Sequence, residues 1–308
     1  MQNPHINTNN IVNEIVKNIK HYPSERIYKM RYSNYYTFFD IRIEDRIAYS
    51  YFDNEEASSS SAFEFNANIK KTGKYRIFYK MYPVGKINNE VFSTLRDNSY
   101  LDFTIKSYDL KNENADDITY FNYKTPMDSI KISEKYSEEK FVGAGKTYYE
   151  GSFDVNVEVP YEIHPVYEKA KDLRKMDNKE LQAKLLQAYQ QVWNIYNNKE
   201  YDNIARISFD TWKDEFASLY KTDKEVSETW STFLSIYKSD SFEMQPLEDY
   251  KLEFFANGKL VALMSTNDDF RNRGNTALWA KVNHEGLRPF FINRYFYIPE
   301  GETEFKVY

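Results

Sequence analysis

The run GAGKT at residues 143–147 is the stretch whose spacing comes nearest to a nucleotide-binding motif. A phosphate-binding loop needs a second glycine five residues before the one that precedes lysine, and that position, 140, is lysine. The motif must also open a helix, whereas the following residues, TYYEGSFDVNVEV, are typical of a strand. We therefore expect a glycine-rich turn here and no cofactor.

Nucleophilic and metal chemistry lacks its usual spacing in this chain. Its four histidines show neither of the spacings in which two imidazoles bind zinc: His5, His21, His164 and His284. A serine nucleophile would need the G-x-S-x-G elbow, which is absent, and cysteine does not occur. We expect no catalytic residue and no metal site, and hence no enzyme.

Carboxylates are plentiful and leave one alternative open. Runs such as Asp116-Asp117 and Glu138-Glu139 are typical of solvated loops. A glycoside hydrolase would need two such groups facing a sugar-binding cleft, and 18% aromatic residues would suit sugar binding. A carbohydrate-binding protein or glycoside hydrolase is therefore the second hypothesis, and a structural component of a larger assembly is the third.

The connection TNDDFRNRGNT at residues 266–276 is the candidate binding loop. It is long for a link between two strands, and long loops on a rigid sheet often carry function. An aromatic side chain flanked by arginines has the composition of an interface hot spot, although a charged, floppy surface loop is equally compatible. The candidate residues are Asp268, Asp269, Phe270, Arg271 and Arg273.

A β-hairpin is predicted immediately before this loop, at residues 250–265. Asn257-Gly258 suits a tight two-residue turn, which places Phe254 opposite Val261 and Leu252 opposite Leu263. That face is wholly apolar and is expected to pack on helices. The other face carries Glu253 and Phe255 in a mixed surface, so both are predicted to contact a partner.

Strand-like segments dominate the first half of the chain. After a short amphipathic helix at 9–20, alternating or aromatic-rich segments recur without helices between them, and the pair at 62–69 and 74–82 is predicted to form a hairpin. The predicted strands are 39–52, 62–69, 74–82, 100–108, 118–123 and 152–159.

Helical periodicity takes over after Pro165. Predicted helices cover 177–197 and 202–220, and a third opens at Thr222, with Glu225 completing a capping box. Strands are expected again at 250–265, 276–283, 289–298 and 303–308.

This order of elements predicts an α+β protein. The expected parts are an N-terminal helix at 1–23, a β-rich, antiparallel sandwich-like domain at 24–164, and an α+β domain at 165–308, with helices within 166–240 and strands within 247–308.

Charge and composition restrict the partners. A net charge of −6 argues against nucleic acid, which usually binds to a basic face, and allows a basic protein partner. No run reaches the roughly 18 apolar residues of a spanning helix, and the N-terminus has no signal-peptide pattern. We expect a cytoplasmic protein, although the lack of cysteine fits a periplasmic one equally, and the oligomeric state stays open.

The C-terminal third resembles immunity proteins of bacterial polymorphic-toxin and secretion-system loci. The resemblance covers PLEDYKLEFFANGKLVAL, TALWAKV and FYIPEGETEFKVY, and consists of an acidic, aromatic-rich texture with an Asn-Gly hairpin. It implies a non-catalytic protein that binds a cognate toxin and occludes its active site. This is the leading hypothesis, and the resemblance carries over no individual residue.

Overall fold

A computed structural model describes residues 2–52, 57–87, 89–112, 114–267, 269–283 and 286–308, and of Phe270 only the main chain. The chain is an α+β protein that divides into two compact units, Tyr22–Glu162 and a discontinuous unit formed by Met1–His21 with Ile163–Tyr308. The segment preceding Tyr22 therefore belongs with the C-terminal part of the chain.

The unit Tyr22–Glu162 is a β-sandwich. Its strands are β1 (Arg26–Tyr35), β2 (Phe38–Ile43), β3 (Arg46–Tyr51), β4 (Ser58–Glu64), β5 (Gly73–Tyr82), β6 (Gly85–Ile87), β7 (Glu90–Phe92), β8 (Tyr100–Asp109), β9 (Ile118–Tyr123), β10 (Met127–Lys131), β11 (Ser137–Phe141) and β12 (Tyr149–Val157). Two antiparallel four-stranded sheets have the orders β4-β1-β8-β9 and β12-β5-β2-β3, and β6-β7 and β10-β11 form separate ribbons.

Aromatic rings join the two sheets of the sandwich. Tyr79 on β5 packs on Phe103 on β8 with ring centroids 5.6 Å apart, and Phe103 also lies 5.5 Å from Phe153 on β12. Rings of this size bury large apolar areas, which accounts for part of the aromatic content.

Two strand predictions in this unit are wrong. The predicted strand 39–52 is two strands, because Glu44 and Asp45 both adopt positive φ angles, 51° and 59°, and turn the chain back. The predicted hairpin of 62–69 with 74–82 does not form, since β4 pairs with β1 in one sheet and β5 lies in the other.

Asn66 explains why the chain leaves its sheet after β4. Its buried side chain accepts a hydrogen bond from the Tyr28 main-chain N–H at 2.7 Å and donates to the Arg26 carbonyl at 3.0 Å. These bonds hold residues 66–68 in a 3-10 turn, so the strand cannot continue into a hairpin.

The second unit packs helices against strands. Its helices are α1 (Ile11–Val16), α2 (Asn178–Asn197), α3 (Tyr201–Ser218) and α4 (Asp223–Lys238). Its strands are β13 (Glu243–Met244), β14 (Tyr250–Phe255), β15 (Leu260–Ser265), β16 (Trp279–Asn283), β17 (Leu287–Phe291), β18 (Phe296–Tyr297) and β19 (Lys306–Val307). The sheets have the orders β13-β16-β17 and β14-β15-β18-β19.

The three helices predicted after Pro165 and the central hairpin are confirmed in this unit, whereas the helix predicted at 9–20 is shorter and spans only Ile11–Val16. Thr222 and Glu225 form the capping box of α4, and Phe254 pairs with Val261 as the Asn-Gly turn requires. Val261 lies in the same buried cluster as the stripe of α2 that includes Leu185. The predicted strand 289–298 is broken between β17 and β18, and 303–308 contributes only β19.

Candidate functional site

The loop at 266–276 is fastened at its base. The Ser265 N–H donates to the Asn275 carbonyl at 2.9 Å, and the Thr266 N–H donates to the Asp249 carbonyl at 2.6 Å. The loop therefore leaves β15 at a fixed point and returns beside that strand before it reaches β16 of the other sheet, which suits a surface that must keep its shape.

Within the loop, polar groups satisfy one another. Asp269 accepts hydrogen bonds from the Arg271 main chain and guanidinium, at 3.0 Å for both N–H and Nε, and this contact lowers the pKa of the Asp269 carboxyl. The Asn267 amide oxygen accepts from the Asp269 N–H at 2.9 Å and from the side chain of Asn272, which is buried. The described part of the loop is thus a hydrogen-bonded turn.

Beside this turn lies the outer face of β16 and β17. Cross-strand pairing places Trp279 opposite Phe291, Lys281 opposite Pro289, and Asn283 opposite Leu287. Leu287 is 68% exposed, so this face presents apolar surface to solvent. We call the combined area the loop–hairpin surface; it surrounds a groove of about 100 Å³ lined by Asp269, Arg271, Asn272, Trp279, Lys281, Leu287, Arg288 and Pro289.

Trp279 is the largest side chain of the loop–hairpin surface. Its ring lies 6.4 Å from that of Phe291, and the Lys281 ammonium lies 5.9 Å from its centroid. Trp279 is half-buried, so part of a rigid aromatic ring already in place remains accessible. Tryptophan and arginine are the residue types that most often dominate binding energy at protein interfaces.

The surface is suited to side-chain contacts rather than strand pairing. β17 is the edge strand of its sheet, and an open edge can accept an additional strand. Pro289 lies in the middle of β17 and has no N–H to donate, which is how natural proteins protect such edges.

The structure brings together only some of the candidate residues. Asp269 and Arg271 line the groove, whereas Arg273 is exposed outside it. Glu253 lies on β14, where its carboxylate pairs with Lys251 at 3.0 Å. Asp268 lies outside the described residues, and no side-chain position is described for Phe270.

The predicted exposure of Phe255 is wrong. Its side chain is wholly buried and packs edge-on against Tyr295, with centroids 5.0 Å apart. Leu260, which lies opposite it on β15, is buried too, and so are Ala262 and Met264, since residues 260–264 of β15 are buried on both faces of the strand. A partner therefore cannot reach Phe255, although Lys251 is exposed and Glu253 partly exposed on the same face of β14.

Sequence reasoning missed Trp279 and Leu287. Trp279 lies in the predicted strand 276–283, whereas Leu287 precedes the predicted strand 289–298, and alternation alone does not say which face of a strand stays uncovered. The available signal was Pro289, since proline within a strand indicates an edge.

One carboxylate pair bears on the hydrolase hypothesis. Asp210 and Asp214 lie one turn apart on α3 and share Lys213, at 3.8 and 3.5 Å. Burial raises the pKa of Asp214. Asp210 accepts from Asn3 and Asp214 from Tyr308, so the pair fastens both chain-terminal segments to α3.

Among the described residues, no group of three or more histidine, aspartate or glutamate side chains is arranged to hold a metal ion. His164 meets Glu168 at 3.1 Å on an exposed turn, and His284 lies outside the described residues. In the part of the chain described, no helix has the length and apolar content needed to cross a membrane.

The chain was compared with protein-family models, curated proteins and solved structures, and none of the three comparisons found a match.

Proposed function

We propose that this protein is a non-catalytic binding protein that contacts a protein partner through the loop–hairpin surface. The observation that carries the proposal is an exposed leucine, Leu287, beside the half-buried ring of Trp279 on an edge that proline protects from strand pairing. Aromatic anchors surrounded by polar groups are the usual anatomy of a protein interface.

Charge indicates what the partner presents. Among the residues lining the groove, Arg271, Lys281 and Arg288 are cations and Asp269 is an anion. This excess of positive charge stands out on a chain of net charge −6. Complementary potentials favour association, so the partner contributes an apolar group within an acidic patch.

The specific form of the proposal is an immunity protein. In that form the partner is a cognate bacterial toxin, encounter takes place in the cytoplasm, and binding occludes the toxin's active site. The texture of the C-terminal third supports it. The partner's contacting patch is then acidic, rather than the basic site that the overall charge suggested.

The test is a binding measurement with the product of the neighbouring gene. Trp279→Ala and Leu287→Asp should each weaken binding by at least about tenfold, the range of hot-spot residues. Ile132→Asp is the matched control, because Ile132 is a 58% exposed aliphatic residue in the other unit and should leave affinity unchanged.

Co-expression separates the general proposal from its specific form. If the neighbouring product binds but is not toxic, the immunity role fails and the binding role stands. If Ile132→Asp weakens binding as much as Leu287→Asp does, the loop–hairpin surface is not the interface.

A further inference from the structure

A groove with a volume of about 1080 Å³ lies in the discontinuous unit. Its walls are residues 2–4, one face of α2 and residues 302–307, and its floor includes Phe296. We call it the edge groove, because β19, the last strand of its sheet, forms one side.

A side chain occupies the open edge of β19. The Gln2 amide donates from Nε2 to the Val307 carbonyl at 2.9 Å, and its Oε1 accepts from the Val307 N–H at 2.7 Å. These are the two bonds that a neighbouring strand would make with Val307. The edge can therefore receive a peptide group, and Gln2 supplies a substitute for one.

The neighbouring main chain shows which way the edge faces. The main chains of Tyr308 and Tyr295 exchange two hydrogen bonds, at 2.7 and 2.9 Å. Because N–H and carbonyl groups alternate in direction along an antiparallel strand, those of the next residue, Val307, point away from β18 and towards the groove. Phe305 is the next residue in that direction, and its main chain makes no hydrogen bond to any other described residue. Unpaired strand edges are templates for adding a strand.

The groove is acidic at its rim and rich in amides. Three lining carboxylates are at least partly exposed, Glu200, Glu302 and Glu304, against two lysines, Lys184 and Lys306; Asp210 also lines the groove but is buried and paired with Lys213. Exposed amides of Gln187 and Gln191 lie along α2, and each can both donate and accept. This combination suits a polypeptide with basic side chains rather than an acidic one.

We infer that the edge groove binds an extended, basic peptide segment of a partner, which adds as a strand to β19 and displaces the Gln2 side chain. Main-chain hydrogen bonds would supply affinity and the acidic rim would select lysine or arginine. The site is separate from the loop–hairpin surface, so the two proposals can fail independently.

The probe is a fluorescein-labelled peptide of alternating lysine and valine, measured by fluorescence anisotropy with the full chain. A peptide of the same sequence with N-methylated valines keeps the charge but cannot pair with β19, and a glutamate–valine peptide reverses the charge. We expect the first to bind at least about tenfold more tightly than either control, since several hydrogen bonds are lost in one and charge complementarity in the other.

Variants locate the binding. Gln2→Ala removes the competing amide and should tighten binding about fivefold. Gln191→Lys opposes the peptide's charge inside the groove and should weaken it about threefold, whereas Gln182→Lys, an exposed position of α2 outside the groove, should match wild type.

Two outcomes overturn the inference. If the N-methylated peptide bound as tightly as the unmethylated lysine–valine peptide, the interaction would be a non-specific attraction between charges. Unchanged affinity in Gln2→Ala, with thermal unfolding showing an intact fold, would show that the peptide does not use the β19 edge.

Discussion

At the scale of single residues, Gly258 shows how the central hairpin is fixed to its surroundings. It has a φ of 81°, and its carbonyl accepts a hydrogen bond from the Leu173 N–H at 2.8 Å. A Cβ at this position would fall on the side chains of Asp172 and Arg174, which pair with each other at 2.8 Å. The turn is therefore sharply bent and also packed against residues 172–174.

Gly258→Ala is expected to lower the free energy of unfolding by about 2–3 kcal/mol, through left-handed strain and the displaced ion pair. Gly301→Ala is the matched control, because Gly301 has the same φ of 81° with no atom near the added Cβ. It should cost about 1 kcal/mol. Equal losses in urea unfolding would show that docking against Asp172 contributes nothing.

The same hairpin shows which residue properties a sequence can predict. Asn257-Gly258 defines the turn and hence the register of Phe254 with Val261, because few residues tolerate successive positive φ angles; Ala256, just before the pair, has a positive φ as well. The burial of Phe255 was not predictable in this way. It depends on Tyr295, forty residues later, whose approach no local pattern reveals.

At the scale of elements, the stabilisation that the capping box of α4 provides depends on pH. The Glu225 carboxylate accepts from the Thr222 N–H and hydroxyl, both at 2.8 Å, and pairs with Lys221 at 2.9 Å. Partial burial would raise its pKa, but these contacts outweigh burial and lower the pKa to about 2. Because the folded pKa lies below the ordinary 4.5, the stabilisation is full above that pH and is lost as pH falls towards 2.

Glu225→Gln keeps a capping side chain but removes the charge. It should lower the free energy of unfolding by about 0.5–1 kcal/mol at pH 7, and the difference from wild type should vanish near pH 2. Glu228→Gln is the control on the same helix, since the Glu228 carboxylate is exposed and pairs with Lys224 at 3.7 Å. An equal loss in both variants at pH 7 would mean that any exposed charge on α4 has this effect.

Elements with local signals were predicted, and elements defined by distant pairing were not. The capping residues of α2 and α4 predict the starts of those helices from the sequence. By contrast, β1 was not predicted at all, although it is a central strand between β4 and β8. The candidate site divides in the same way: the loop stood out by its composition, whereas the face of β16–β17 beside it depends on which side the helices cover.

At the scale of the whole molecule, the chain enters one unit, leaves it at Tyr22 to build the sandwich, and returns at Ile163. The N-terminal segment completes the core of that discontinuous unit. Ile6, Ile11 and Ile15 are wholly or almost wholly buried, and α1 packs on α3 and α4.

This arrangement predicts that residues 163–308 alone are incomplete. Full burial of an isoleucine stabilises by about 1.5–3 kcal/mol, so loss of three exceeds about 4 kcal/mol before any hydrogen bond is counted. A separate peptide of residues 1–21 should bind the fragment and restore cooperative unfolding. Tryptophan fluorescence can follow this, because the Trp230 indole donates to the Thr8 carbonyl at 3.3 Å.

Two peptide variants make this prediction specific. Ile11→Asp places a charge at a buried position and should abolish complementation, since an unpaired carboxylate cannot enter an apolar core. Asn13→Asp adds the same charge at an exposed position of α1 and should complement as wild type does. If residues 163–308 unfold at the same urea concentration with and without the peptide, the N-terminal segment is not part of the core. The contact of Gln2 with β19 would then lack the buried isoleucines that hold the segment in place.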